Sequence, residues 1–233
     1  MFTSPLFIIF VGFMLLSWLV SNQLKRRFKK YSQIPVDGGM SGAQVATKML
    51  NDNGIYDVQV LSTGGTLSDH YNPANKTVNL SADVYNGRNV AAAAVAAHEC
   101  GHAIQHAKAY APLKIRSALV PLQNVSAKIL NVLFMVMFFG AFLLPSILPF
   151  NTALILIIAC YGIFTAFAFI TLPVEIDASK RALAWLSNAG VTGGNNYGQA
   201  KDALKWAAYT YVVAALSSLA MLIYYVMIFL DRR

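Results

Sequence analysis

Long uncharged stretches constrain this chain before anything else does. Residues 1–24, 129–174 and 206–230 contain no Asp, Glu, Lys or Arg. A membrane-crossing helix takes about 20 apolar residues, so the 46 residues of 129–174 have room for two crossings and the other two blocks for one each. The expected fold class is a mainly α membrane protein with about four transmembrane helices. The first block resembles a secretory signal only in hydrophobicity. Its charges, Lys25, Arg26, Arg27, Lys29 and Lys30, follow the apolar core instead of preceding it, and no small-x-small cleavage site follows. An uncleaved amino-terminal anchor is therefore expected.

The net charge of +8 is arranged by topology. Of the 18 Lys and Arg, 16 lie in 25–128 and 173–205, and the remaining pair is Arg232 and Arg233. The positive-inside rule assigns the two rich segments to the cytoplasm and both termini to the outside. Net charge so distributed predicts a multi-pass protein of the cell membrane whose partner is the lipid bilayer, and no nucleic acid. The expected organisation is an anchor (1–24), a cytoplasmic part (25–128), a transmembrane hairpin (129–172), a second cytoplasmic segment (173–205) and a last transmembrane helix (206–233).

Within 25–128, Ser41 and Gln44 form a capping box that opens a helix over about 42–51, closed by Gly54. Short strands are expected at 58–61, 67–71 and 77–80 around the turns Thr63-Gly64-Gly65 and Asn72-Pro73-Ala74-Asn75, giving a small antiparallel sheet. The strand at 77–80 is a candidate for pairing with an extended peptide. Ser81-Ala82-Asp83 or Asn89 is expected to cap the next helix. Pro112 and Pro121 are expected to break the pattern before a membrane helix starts near Lys128, and Pro173 to open the second cytoplasmic segment, helical over 175–186. Pro145, Pro149 and Asn151 are expected to turn the hairpin. Cys100 and Cys160 are too few and too scattered for a disulfide framework.

An alanine-rich run, 91–97, leads into His98-Glu99-Cys100-Gly101-His102. On a helix, His98 and His102 share a face about 6 Å apart along the axis, so both imidazoles can grip one metal ion. Glu99, about 100° round, reaches a water on that ion. With four His and two Glu in 233 residues, the pattern arises by chance in on the order of one chain in two thousand. A catalytic site of this type takes a third protein ligand. Cys100 faces away, about 200° round from His98. His106 stands roughly 12 Å along the axis from His98, too far to join both histidines. Gln105 and Lys108 replace the Gly and His of the metzincin pattern. The other Glu of the chain, Glu175, follows the third apolar helix on the same side as His98. A charge at a membrane boundary tends to be functional, although a helix-start carboxylate favoured by the dipole fits the position too.

The phrases Ser68-Asp69-His70-Tyr71-Asn72-Pro73, Leu80-Ser81, the His98–His102 motif and Pro173-Val174-Glu175-Ile176-Asp177-Ala178-Ser179 resemble the bacterial neutral zinc metallopeptidases of the YugP type. The resemblance covers nearly the whole chain. A wider similarity, to gluzincins and to HtpX-like membrane proteases, rests on the two metal motifs. It implies a zincin-like α+β cytoplasmic part, Zn2+ held by His98, His102 and Glu175, and Glu99 as the catalytic base. Those relatives carry Glu-x-x-x-Asp with the Asp bracing a motif histidine; Ser179 stands there in this chain and Asp177 two residues earlier. Each ligand imidazole still wants an outer hydrogen-bond partner, for which Asp177 and Ser179 are candidates. His70, Arg181 and Tyr197 are candidate oxyanion donors. The implied activity is hydrolysis of peptide bonds of membrane-associated or misfolded proteins at the cytoplasmic face. The alternatives are a catalytically silent zinc-binding membrane scaffold or adaptor, and a metal transporter. The transporter is disfavoured because residues 129–174 hold no ionisable acid or base within the spans.

Overall fold

The computed structural model describes residues 5–143 and 149–231. In chain order, helix α1 (Pro5–Tyr31) is followed by a short 3-10 turn and α2 (Gly42–Asp52). Three strands follow, β1 (Gln59–Thr63), β2 (His70–Asn72) and β3 (Thr77–Ser81), then α3 (Ala82–Asn86) and α4 (Val90–Ala107). The long helices α5 (Ala111–Leu143), α6 (Phe150–Asn188) and α7 (Asn195–Asp231) complete the chain. The chain divides into two units, one of Met1–Trp18, Ile115–Thr171 and Tyr211–Arg233, the other of Leu19–Lys114 and Leu172–Thr210.

The first unit is built from apolar helix segments. Among the described residues, four helices are long and apolar enough to cross a membrane: Pro5–Tyr31, Ala111–Phe138, Phe150–Asn188 and Asn196–Asp231. Phe10 and Trp18 of α1 and Phe138 of α5 stand exposed, an arrangement costly in water and natural in lipid. Leu130, Leu133, Leu154, Ile157 and Tyr225 form the unit's own core, where the Tyr161 and Tyr225 rings stack at 5.4 Å.

Two expected breaks are absent. Pro121 lies inside α5 and Pro173 inside α6. Proline removes one backbone hydrogen bond, but long apolar helices tolerate that loss because the remaining ladder holds. Pro173 therefore opens no new helix, and the residues around Glu175 continue the helix that began at Phe150. Of the expected hairpin turn, Pro145 lies outside the described residues, Pro149 accepts the first α6 bond from the Ala153 amide at 3.1 Å, and Asn151 is already helical.

The second unit packs helices on a small sheet. Ser41 and Gln44 form the expected reciprocal capping box on α2. At its far end Gly54, at φ 72°, donates to Asn51 while Ile55 donates to Leu50, the paired bonds of a Schellman stop. The sheet order is β1-β3-β2. β2 runs antiparallel to β3, with Tyr71 opposite Val78, but β1 runs parallel to β3 from Gln59–Thr77 to Thr63–Ser81. The sheet is therefore mixed, not wholly antiparallel as the turns suggested. The cause lies in the 64–69 loop, which steps across two strand spacings, about 9.6 Å, instead of folding back as a hairpin. Asp69 pins that step by accepting from the Ser81 amide at 2.7 Å and the Ser81 hydroxyl at 3.1 Å. β3 is thus the central strand, with both edges paired. The expected peptide pairing at 77–80 is overturned.

Val78, Leu80, Met49, Leu50, Val84 and Val90 fill the core of this unit beside the alanine face of α4. Small side chains let α4 approach its neighbours closely. Asn89, one of the two expected caps, accepts from the Ala92 amide at 2.9 Å; Ser81 caps nothing with its side chain.

Candidate metal centre

α4 carries His98 and His102 on one face, one turn apart, with ring centroids 4.8 Å apart and nearly perpendicular. α6 brings Glu175 against them. Its Oε2 lies 3.3 Å from His98 Nε2 and 3.5 Å from His102 Nε2. One ligand atom from each of the three falls within 4.8 Å of the others. Zinc bonds of 2.0–2.1 Å in a tetrahedron set ligand atoms about 3.3 Å apart, so the edges from Glu175 to each histidine fit such an ion. Two imidazoles and a carboxylate also leave a fourth position for water or substrate. Without an ion between them, burial disfavours the charged form of His102, but its hydrogen bond to Glu175 and the charges of Glu99 and Glu175 outweigh burial and raise its pKa, so a proton and a metal ion compete for Nε2.

The approach of α6 to α4 depends on Gly101. A Cβ at that position would stand 2.6 Å from the Ala178 carbonyl oxygen and 3.0 Å from its carbonyl carbon and Cα. Backbone atoms do not swing aside, so any side chain there pushes α4 and α6, which carry the three candidate ligands, apart. Ala for Gly inside a helix normally gains about 1 kcal/mol; here the sign reverses. Gly101→Ala is expected to cost roughly 1–3 kcal/mol from overpacking and to lower bound zinc, read from thermal unfolding and metal content. An unfolding temperature at or above that of the wild type would show that the contact relaxes freely.

The outer contacts differ for the two histidines. Ser179 Oγ lies 3.1 Å from His98 Nδ1. His102 Nδ1 lies 3.0 Å from Gln105 Oε1, and Gln105 Nε2 donates to the Val174 carbonyl at 2.7 Å and to Asp177 Oδ2 at 2.9 Å. Asp177 also accepts from Arg181 Nε at 2.6 Å. Of the two candidate braces, Ser179 touches a ligand directly and Asp177 does so through Gln105. Glu99 is buried, and its Oε2 accepts from the backbone amide of Tyr71 at 3.1 Å, which ties the carboxylate to the outer edge of β2.

The remaining candidates are placed less centrally. His70 is exposed on β2, its Nδ1 2.8 Å from the Ser68 carbonyl. Arg181 is engaged by Asp177 and sits over the Tyr110 ring. Tyr197 lies at the start of α7, partly exposed, with no hydrogen bond to the ligand residues among the described residues. His106 pairs with the Tyr71 hydroxyl at 2.8 Å and stays outside the ligand cluster. Cys100 is buried in the core with Sγ 3.5 Å from the Ala46 carbonyl; burial pushes its thiol well above the ordinary range, so it stays protonated. Sequence reasoning missed two residues. Gln105 entered only as a departure from the metzincin pattern, although three residues beyond His102 it shares that residue's helix face. Tyr71 acts here through its backbone, which no side-chain pattern reveals.

The fold and site together define a helical protein with four candidate membrane helices and a His, His, Glu cluster able to hold a metal ion. Comparison with known proteins narrows the class. The family described as "Putative neutral zinc metallopeptidase" matches residues 6–230. The "Putative membrane protease YugP" of Bacillus subtilis (strain 168) is 40% identical over 218 residues, covering 94% of this chain and 93% of the relative. The chain belongs to this neutral zinc metallopeptidase family. No solved structure matches it.

Proposed function

We propose that the protein is a membrane-anchored zinc endopeptidase of the gluzincin type. His98, His102 and Glu175 would hold the ion, and Glu99 is the general base. The observation that carries this reading is the convergence of Glu175 Oε2 on both imidazole Nε2 atoms, at 3.3 and 3.5 Å. When bound, zinc supplies Lewis acidity to a scissile carbonyl and brings the pKa of a water toward 7. Glu99 sits one residue round the helix from His98 with one carboxylate oxygen anchored by the Tyr71 amide. Its other oxygen takes the proton from the attacking water and delivers it to the leaving amine. Ser179 and Gln105 hold the rings that carry the ligand nitrogens.

The substrates are peptide bonds of membrane-associated or misfolded proteins, cut at the cytoplasmic face. Glu175 is the first charged residue after the uncharged stretch 129–174, which supports a third ligand at the inner boundary of the lipid. The excess of Lys and Arg in 25–128 and 173–205 supports that side. Cysteines introduced at Thr3 and Asp57, with Cys100 and Cys160 replaced, are expected to label from opposite faces of intact cells. Labelling of both from outside would overturn this topology.

The test of the activity uses the purified full chain in detergent with an unfolded protein such as casein and with membrane proteins. Hydrolysis is expected, lost on chelation and restored by stoichiometric zinc. A zinc-loaded protein that cleaves none of them would favour the adaptor reading.

A further inference from the structure

We infer that Gln105 is a positioning residue that sets the tautomer of His102, because its amide can face the ring in one direction only. The inference rests on the metal-ligand reading of His102 given above. Gln105 is completely buried, so each of its polar atoms must find a protein partner. Three partners surround it: His102 Nδ1 at 3.0 Å, the Val174 carbonyl at 2.7 Å and Asp177 Oδ2 at 2.9 Å. A carbonyl and a carboxylate offer acceptors alone. They demand the two amide hydrogens, and with two hydrogens for two acceptors the NH2 group is fully used.

The amide oxygen is therefore turned toward His102. An amide flipped the other way would set its oxygen against two acceptor oxygens, losing both bonds in a site closed to water. Facing an oxygen, Nδ1 of the neutral ring carries the proton, and the lone pair is left on Nε2. That is the atom 3.5 Å from Glu175 Oε2, where an ion would sit. Asp177 stays in place through Arg181, whose Nε lies 2.6 Å from the same oxygen. The order Arg181, Asp177, Gln105, His102 thus passes one instruction inward, from a fixed cation to the choice of ring nitrogen. His98 has a different arrangement: Ser179 offers a hydroxyl, which donates or accepts, and so dictates no tautomer.

A packing role and a positioning role rank two substitutions in opposite order. Gln105→Leu keeps the volume and removes the acceptor. Gln105→Glu keeps an oxygen for Nδ1 but sets a carboxylate against Val174 and Asp177. For positioning, Gln105→Leu is expected to weaken zinc binding by about 10–100-fold, while Gln105→Glu stays nearer the wild type and loses thermal stability. For packing, Gln105→Leu would be the better tolerated on both counts. The experiment measures zinc affinity of the full-length protein in detergent by chelator competition, with Glu175→Ala alongside. A second readout is the slowly exchanging Nδ1 proton of His102 in zinc-loaded, 15N-histidine-labelled protein, simplified because the chain has four histidines. That signal is expected downfield in the wild type and Gln105→Glu, where an oxygen accepts it, and shifted upfield in Gln105→Leu. Wild-type zinc affinity in Gln105→Leu, with zinc lost in Glu175→Ala, would overturn the inference and leave the metal site standing. Full zinc retention in Glu175→Ala would remove the metal site itself and the inference with it.

Discussion

Glu99→Gln is expected to bind zinc at the wild-type level and to hydrolyse peptide bonds about 10²–10⁴-fold more slowly. The substitution changes one oxygen to an NH2 group and leaves the volume almost untouched. The amide oxygen still accepts from the Tyr71 backbone N–H, the 3.1 Å bond that orients the native carboxylate, so the side chain keeps its place beside His98. What is lost is basicity: an amide does not take a proton from water near neutral pH. Parallel measurement of zinc content and turnover separates this outcome from structural damage. An active Glu99→Gln would assign the base to another residue, and the absence of zinc would show that Glu99 supports the ion electrostatically.

Glu175→Ala is expected to lose most of its zinc and with it all activity. The truncation removes the sole carboxylate of the ligand cluster described by His98, His102 and Glu175 and leaves two imidazoles on one helix turn. Glu175 is 2% exposed, so a cavity also opens between α4 and α6. Glu175→Gln separates the two effects. It fills the space with a neutral, weaker ligand, so it should fold better than the alanine variant while still binding zinc poorly. Zinc stoichiometry near one in Glu175→Ala, at protein concentrations below micromolar, would dismiss Glu175 as a ligand.

Much of this was legible in the sequence, because the strongest signals were also the most local. Uncharged length marked the apolar helices, and the His98–His102 spacing marked a shared helix face. The Ser41–Gln44 box and Gly54 set the limits of α2 to within a residue. What failed depended on partners distant in the chain. The direction of β1 follows from how the 64–69 loop is pinned by Asp69 to Ser81, a contact across 12 residues. Pro121 and Pro173 carry a local rule for helix breaking that long apolar helices override. Gln105 counted only as a departure from the metzincin glycine because its partners, Val174 and Asp177, lie 69 and 72 residues away. The backbone N–H of Tyr71 has no signature in sequence at all.

His98 and His102 are translated long before Glu175, which stands 73 residues after His102 (175 − 102). On the ligand set proposed above, a ribosome that has finished α4 has made two of the three donors and nothing more. The third donor emerges only once the apolar stretch 129–174 has been synthesised, so a nascent chain that stalls before that point carries no competent hydrolytic centre. On the proposed ligand set, metal capture follows completion of the helices that precede Glu175, and an unfinished chain poses little proteolytic hazard to its neighbours.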